Sequence, residues 1–266
     1  MRRLISVFPA LLAAFAVTLL AALPALAIVP IVPTTIGDPS FQQGPPAISG
    51  DRLLWEDDLG ETGAWRVLTW APGQIDPTMM DEFAPPADSG FSPQQPATGY
   101  AISGDRLAWL DFDGDYWQVY TWKTGQDDPL QLTNTKYDNT GVQVSGDRLV
   151  WEADPTGSGN DQIYTWKAGD SSPTRVTHNG LYNTQPEVSG DRIAWQAIHA
   201  DQSDETTYPV YTWKAGDSTP TALPGGSDMS DSVQISGDRV VWLDPQGVVT
   251  CPGSRGRRNA GLYCGA

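Results

Sequence analysis

The chain of 266 residues holds 32 acidic and 16 basic residues and has a formal net charge of −16. A field of this sign repels polyanions, which argues against nucleic acid or an anionic membrane surface as a partner. Cations and basic partners are compatible with it, although an acidic surface also simply keeps a secreted protein soluble.

The chain begins with a pattern typical of an export signal. Arg2 and Arg3 precede an apolar run over residues 4–20, and Ala25 and Ala27 supply the small residues that a signal peptidase reads. We predict a secretory signal peptide over residues 1–27, cleaved after Ala27. An uncleaved anchor is the alternative, since the run is nearly long enough to span a bilayer. The mature chain would have 14 basic and 32 acidic residues and no stable membrane insertion.

A short motif then recurs through the rest of the chain. It consists of Ser-Gly-Asp-Arg, two apolar residues and a Trp. Its copies begin at residues 49, 103, 145, 189 and 236, with spacings of 54, 42, 44 and 47 residues. A period of this length built from short strands is typical of a β-propeller. The motif predicts a propeller domain over residues 28–250.

Each repeat reads as four antiparallel strands. Apolar residues before the Ser form the first strand, and Gly-Asp fits the centre of a two-residue turn in which Gly has positive φ. The second strand has two adjacent apolar residues, so both of its faces should be buried. A β-branched and aromatic third strand follows, such as Val119–Trp122, and then a short outer strand. We predict an all-β propeller of about five four-stranded blades.

These repeats resemble the TolB-like bacterial β-propellers, whose repeats end in Leu-Thr-Asn. Leu132-Thr133-Asn134 and Val176-Thr177-His178-Asn179 match that ending. The turn differs, because Gly-Asp-Arg stands where the family has Pro-Asp-Gly. Family members commonly have six blades, so a truncated six-bladed protein is an alternative. The resemblance implies a fold used by binding modules, enzymes and peptidase gating domains, and it implies no catalytic residue.

The two ends of the chain are less regular. Blade 5 lacks an outer strand, and we expect Ile31–Ile36 to pair with it and close the ring. Residues 251–266 form an irregular basic tail without the motif. They are either a true tail, in which export would allow a disulfide between Cys251 and Cys264, or the product of truncation or a frame shift.

Four residues are candidate ligand contacts. Nine of the eleven Trp occupy repeated strand positions and are interpreted as packing between blades. Trp65 and Trp117 instead lie five residues before a third-strand Trp, at the mouth of a variable loop. Asp161 and Tyr208 hold the corresponding places in blades 3 and 4.

Two acidic patterns allow more than one interpretation. Asp111, Asp113 and Asp115 alternate as Ca²⁺ ligands do, but they lack the downstream Glu of an EF-hand and also suit a polar turn. No other cofactor is indicated. The Asp-Arg pair of each motif occurs once per blade, which favours a turn-stabilising or blade-to-blade ionic role over catalysis.

The hypotheses about function rest on the variable loops. Acidic residues concentrate between second and third strands, so one face of the propeller should be variable and acidic. The first hypothesis is a secreted, monomeric, non-enzymatic module that binds a protein or carbohydrate through this face. The second is a secreted hydrolase or lyase acting on polysaccharide. The third is an incomplete gene product without an independent function.

Overall fold

The computed structural model describes residues 35–60, 64–84, 99–199, 208–227, 233–243 and 249–250. Residues from Ile36 onward belong to one compact unit. The described residues form β-strands and turns and contain no α-helix, which agrees with the predicted all-β class. Within those ranges, no helix is long and apolar enough to cross a membrane.

The strands group into five antiparallel sheets, one for each motif. Blade 1 contains β1 (Gln42–Gln43), β2 (Ala47–Ser49), β3 (Arg52–Asp58), β4 (Trp65–Trp70) and β5 (Thr78–Phe83). Blade 2 contains β6 (Tyr100–Ser103), β7 (Arg106–Phe112), β8 (Trp117–Lys123) and β9 (Leu130–Gln131). Blade 3 contains β10 (Asn139–Ser145), β11 (Arg148–Ala153), β12 (Gln162–Lys167) and β13 (Thr174–Arg175). Blade 4 contains β14 (Leu181–Ser189), β15 (Arg192–His199), β16 (Tyr208–Lys214) and β17 (Thr221–Ser227). Blade 5 contains β18 (Gln234–Ser236), β19 (Arg239–Leu243) and β20 (Val249–Thr250).

Blades 2, 3 and 4 are four-stranded, and their strands pair in chain order. The first strands β2, β6, β10, β14 and β18 are neighbours in that sequence, so they form the inner wall. The predicted propeller blades are therefore confirmed.

The Ser-Gly-Asp-Arg motif forms the predicted two-residue hairpin turn. Ser pairs with Arg in every copy, as Ser145 does with Arg148. The turn Gly has φ between 56° and 60° in the five blades, whereas the following Asp does not have positive φ. Gly at the first central position with positive φ defines a type II′ turn, whose twist matches that of the flanking strands.

The same motif also joins neighbouring blades. The Ser hydroxyl accepts a hydrogen bond from the turn Gly of the next blade: Gly104 N donates to Ser49 Oγ at 2.7 Å, Gly146 N to Ser103 Oγ at 2.9 Å, Gly190 N to Ser145 Oγ at 3.0 Å, and Gly237 N to Ser189 Oγ at 2.8 Å. The motif Ser thus ends a strand in its own blade and accepts a hydrogen bond from the turn of the next blade.

Charged residues add a second connection at three of these junctions. At these junctions the motif Asp forms ion pairs with an Arg and a Lys of the preceding blade: Asp147 with Arg106 (2.9 Å) and Lys123 (3.1 Å), Asp191 with Arg148 (2.9 Å) and Lys167 (3.0 Å), and Asp238 with Arg192 (3.0 Å) and Lys214 (3.6 Å). We call the Ser–Gly bond together with this Arg–Asp–Lys cluster the inter-blade latch. The blade-to-blade ionic role expected of the motif is confirmed.

The junction of blades 1 and 2 has only part of the latch. Arg52 stacks on Trp122 at 5.8 Å, as Arg148 stacks on Trp213 at 5.9 Å. However, Ala71 stands where the later blades have Lys, and no ion pair joins Arg52 to Asp105 among the described residues.

The second-strand Trp residues form the core between blades. Trp55, Trp109, Trp151, Trp195 and Trp242 are at most 5% exposed. Three of them stack on a third-strand Tyr at centroid distances of 5.9–6.1 Å. Of the third-strand Trp, Trp166 is buried and the others are partly buried. Inter-blade packing explains these residues, as expected.

The first strand of blade 1 is less covered than the first strands of blades 2, 3 and 4. Ile48 is 68% exposed, whereas Ile102, Val144 and Val188 at the same motif position pack against core clusters. The strand predicted over Ile31–Ile36 falls mainly outside the described residues, as do the signal peptide and the tail with Cys251 and Cys264. Ring closure by the N-terminal segment stays a prediction.

Candidate functional site

The four predicted ligand contacts share one place in the fold. Trp65, Trp117 and Tyr208 are the first residues of third strands, and Asp161 immediately precedes one. This end of each sheet lies opposite the Ser-Gly-Asp-Arg turns because the strands are antiparallel. We call it the loop face.

The two Trp residues of this set pack inward. Trp65 is 3% exposed and joins the core cluster with Val67 and Phe83. Trp117 is partly buried and contacts Phe83 and Phe112 at centroid distances of 5.5 and 5.3 Å. Little of the Trp65 side chain is therefore accessible to a ligand. The alternation of buried Trp65, Val67 and Thr69 along one strand is a sequence signal for this inward orientation. Ligand contact by these residues, and by Tyr208, stays a prediction.

Asp161 lines a groove between blades 2 and 3 on the loop face. The groove has a volume of about 570 Å³, and we call it the loop-face groove. Its lining combines three carboxylates, two phenols and one ammonium: Asp138, Asp154, Asp161, Tyr116, Tyr137 and Lys136. Residues that lie up to 45 positions apart in the chain meet there.

The carboxylates of the loop-face groove have different environments. Burial, with a contribution from Asp154, raises the pKa of Asp161. For Asp154, burial acts in the same direction, but hydrogen bonds from Thr156 and Gly159 outweigh it and lower the pKa. Asp138 accepts a hydrogen bond from Trp117 N at 3.0 Å. Asp161 is thus the carboxylate of this groove that would gain most from a positively charged ligand.

The predicted Ca²⁺ ligands do not converge. Asp113 accepts hydrogen bonds from the backbone N–H groups of Asp115 and Tyr116 and from Gln118, so its carboxylate stabilises the turn. Asp111 points to Asp81, and burial followed by the Asp81 charge raises its pKa to about 7. Within the described residues, no group of three or more His, Cys, Asp or Glu could hold a metal ion. Calcium binding by Asp111, Asp113 and Asp115 remains untested.

The carboxyl pair Asp81–Asp111 also bears on the hydrolase hypothesis. The two carboxyls share a hydrogen bond, and Asp81 accepts a second one from Trp109 Nε1 at 2.7 Å. Glycosidase carboxyls stand at least about 5 Å apart to admit the sugar or a water. This pair is therefore too close for that chemistry. A hydrolase or lyase activity elsewhere on the protein stays a prediction.

Two glutamates that directly follow a second-strand Trp are buried within strands, although acidic residues were expected to concentrate in the loops between second and third strands. Glu56 lies in β3 with no exposed surface, and no described residue hydrogen-bonds to either of its carboxyl oxygens. Glu152 holds the same position in β11 and is 8% exposed. Burial raises the pKa of Glu56 to about 8 and that of Glu152 to about 7. A carboxylate directly after the strand Trp, where blade 2 has Leu110, is the signal that identifies them.

The loop face is consequently less acidic at its surface than the sequence suggested. Glu56 and Asp57 are fully buried, and Asp57 pairs with Arg66 at 2.8 Å. The acidic groups that reach the surface include Asp113, Asp115 and the carboxylates of the loop-face groove.

Comparisons with known proteins bear on the fold. No family model and no curated protein sequence matches the chain. Among solved structures, a prolyl endopeptidase aligns with TM-score 0.51 and 18% identity over 78% of this chain and 32% of its own. Dipeptidyl peptidase 4 of Porphyromonas gingivalis gives 0.51 and 11% over 72% and 29%. The putative TolB of Agrobacterium tumefaciens gives 0.46 and 18% over 76% and 70%.

The solved structures that this chain resembles thus include a TolB protein and two peptidases. The chain spans about a third of the two peptidase chains. At identities below 25%, the likeness concerns the fold, and it shows that this chain is a β-propeller protein.

Proposed function

We propose that the protein is a secreted binding module whose loop face recognises a protein ligand carrying exposed Lys or Arg side chains. The observation that supports this most directly is the lining of the loop-face groove, where three carboxylates and two phenols surround a cavity of about 570 Å³. Carboxylates pair with ammonium and guanidinium groups, and tyrosine rings provide rigid amphipathic contact area. The latch side of each blade nearly repeats and is occupied by internal contacts, so recognition falls to the loops.

A matched pair of charge removals tests this proposal. Asp161→Asn removes a carboxylate from the loop-face groove, and Asp127→Asn removes one from an exposed turn at the opposite end of the blade. Binding of a Lys/Arg-rich peptide, measured by fluorescence anisotropy, should weaken about twofold to fivefold in Asp161→Asn only. Equal weakening in both variants would show general charge attraction. A neutral oligosaccharide that binds better than the peptide would favour a glycan ligand.

Export is the second part of the proposal and rests on the leader pattern of residues 1–27. The protein would then act in the periplasm or outside the cell. Expression of the full chain should yield a product whose N-terminal sequence begins at Ile28, in the periplasmic or extracellular fraction. A membrane-bound product that retains residues 1–27 would contradict cleavage.

A further inference from the structure

A second cavity lies at the inner wall of the propeller, between blades 3, 4 and 5. Its volume is about 470 Å³, and we call it the axial cavity. Residues of the first strands β10, β14 and β18 line it together with one second-strand carboxylate: Gln143, Glu152, Gln185, Glu187, Val233 and Gln234. None of these six residues takes part in the loop-face groove or in the latch.

Glu152 is the central group of this cavity. Its side chain is 8% exposed, and among the described residues its Oε2 atom has no hydrogen-bond partner. Thr184 and the backbone N–H of Gln185 donate to the same carboxyl, so its position is fixed from the neighbouring blade. A buried carboxylate oxygen without a donor is costly unless a ligand supplies one.

The other lining groups indicate which donor would fit. Glu187 contributes a second carboxylate, and Gln143 and Gln234 contribute amide oxygens. None of the described residues that line the cavity has an aromatic ring on which a sugar could stack. Ca²⁺ requires several oxygen ligands at about 2.3–2.6 Å, and the described residues contain no group of three His, Cys, Asp or Glu side chains that could hold a metal ion. The cavity is also much larger than an ion, and Val233 and Pro186 offer apolar surface to a methylene chain.

We propose that the axial cavity binds a primary ammonium group on an aliphatic chain, such as a lysine side chain of a peptide, with Glu152 as its principal partner. The proposal concerns a site separate from the loop-face groove, so either one can fail without the other.

Binding at this site should depend on pH in a defined direction. Burial raises the pKa of Glu152 to about 7, with a smaller contribution from Asp161, while Thr184 and Gln185 lower it. Burial also raises the pKa values of Glu187 and Tyr182, the other titratable groups near it. A lysine ammonium stays charged up to a pH of about 10. Affinity should therefore rise as the pH increases from about 6 to about 8, because the carboxyl loses its proton.

The test uses N-acetyl-lysine amide as the probe and N-acetyl-norleucine amide, which lacks the ammonium group, as its control. In a ¹H–¹⁵N NMR titration, the lysine probe should shift the signals of Gln143, Gln185 and Gln234, more strongly at high pH. The norleucine probe should leave them in place. Equal shifts from both probes would overturn the proposal, as would binding of calcium chloride alone at these residues.

A pair of isosteric variants separates the role of Glu152 from general charge effects. Glu152→Gln should weaken binding of the lysine probe about tenfold to a hundredfold and reduce its pH dependence to the part that Glu187 contributes. Glu56→Gln removes a buried carboxyl from the same motif position in blade 1, outside the axial cavity, and should leave binding unchanged. If Glu152→Gln unfolds, Glu187→Gln provides the second measurement, with a smaller loss expected. Unchanged binding in the folded variants would overturn the proposal.

Discussion

Charged residues at the two ends of the blades have opposite environments. At the latch end, each of three Asp residues forms ion pairs with one Arg and one Lys of the preceding blade. At the loop end, Glu56 and Glu152 are buried, and within the described part of the chain both carboxyl oxygens of Glu56 and the Oε2 atom of Glu152 lack a hydrogen-bond partner. The latch groups recur almost identically from blade to blade, whereas these glutamates occur in only two blades.

This difference separates structural from functional residues in a repeat protein. A group that recurs in every blade and meets its partner in the next blade contributes to assembly. A buried polar group that departs from the repeat and lacks an internal partner destabilises the fold, which is why such groups indicate a site. The contrast leads to three measurements.

The largest effect is expected from removing the Arg of a complete latch. Arg148→Ala loses the ion pair with Asp191, the bond to Thr165 at 3.3 Å and the stacking on Trp213. Since Arg148 is 5% exposed, the free energy of unfolding should fall by about 2–3 kcal/mol in urea denaturation.

The incomplete junction provides the control for that measurement. Arg52→Ala loses the corresponding stacking on Trp122 and the Thr69 contact but no ion pair, so we expect a loss of about 1 kcal/mol. Equal losses in the two variants would mean that the charge cluster adds nothing to the latch.

An intermediate effect, of opposite sign, is expected at the loop end. The pKa of Glu56 is raised to about 8 by burial, so the folded state holds a proton that the unfolded state releases above a pH of about 4.5. Stability should therefore fall as the pH rises from about 5 to about 8. Glu56→Gln removes this ionisation and should raise the free energy of unfolding at pH 8 by roughly 1–3 kcal/mol.

The same titration distinguishes the two ends of the blades. At pH 5, Glu56→Gln should resemble the wild type, because the glutamate is then neutral.

Hydrogen bonds from Arg106, Arg148 and Arg192 lower the pKa values of Asp147, Asp191 and Asp238. Their contribution is present above the unfolded pKa of about 3.9 and is lost as the pH falls through the folded value. A wild-type stability that is flat between pH 5 and pH 8 would contradict the loop-end assignment.

The smallest effects concern the bulge that borders the axial cavity. Gly141 and Gln185 occupy it in blades 3 and 4 with φ of 62° and 55°. Gly141→Ala should cost about 1–2 kcal/mol, because it adds strain at positive φ and places Cβ 2.6 Å from Glu152 Oε1. Gln185→Gly should change stability by no more than about 1 kcal/mol, since relief of strain offsets the added chain entropy. Thermal unfolding of both variants checks this order.

Much of the architecture could be predicted from the sequence because it is local and repeated. The II′ turn follows from Gly-Asp, and the buried strands follow from their paired apolar residues. The ionic role of the motif followed from its recurrence, although the specific pairs did not. Arg148 meets Asp191 and not its own neighbour Asp147, and only the stacking of blades determines that choice.

The candidate sites were harder to predict because they are assembled between blades. The loop-face groove brings Tyr116 of blade 2 to Asp161 of blade 3, and no spacing in the sequence encodes that contact. Glu152 was counted as a surface charge because acidic residues are usually exposed. Its environment depends on the bulge in β14, where the backbone N–H of Gln185 donates a hydrogen bond to the Glu152 carboxyl.

The inter-blade latch is directional. Each blade offers Ser and Arg to its successor and Gly and Asp to its predecessor, so the two ends of the row of blades present different groups. In the part of the chain that the structure describes, Arg239 and Asp51 are the motif residues without an ion-pair partner at these ends. A duplicated blade inserted at any junction would meet complementary groups on both sides. The number of blades can therefore change during evolution while every existing junction keeps its chemistry.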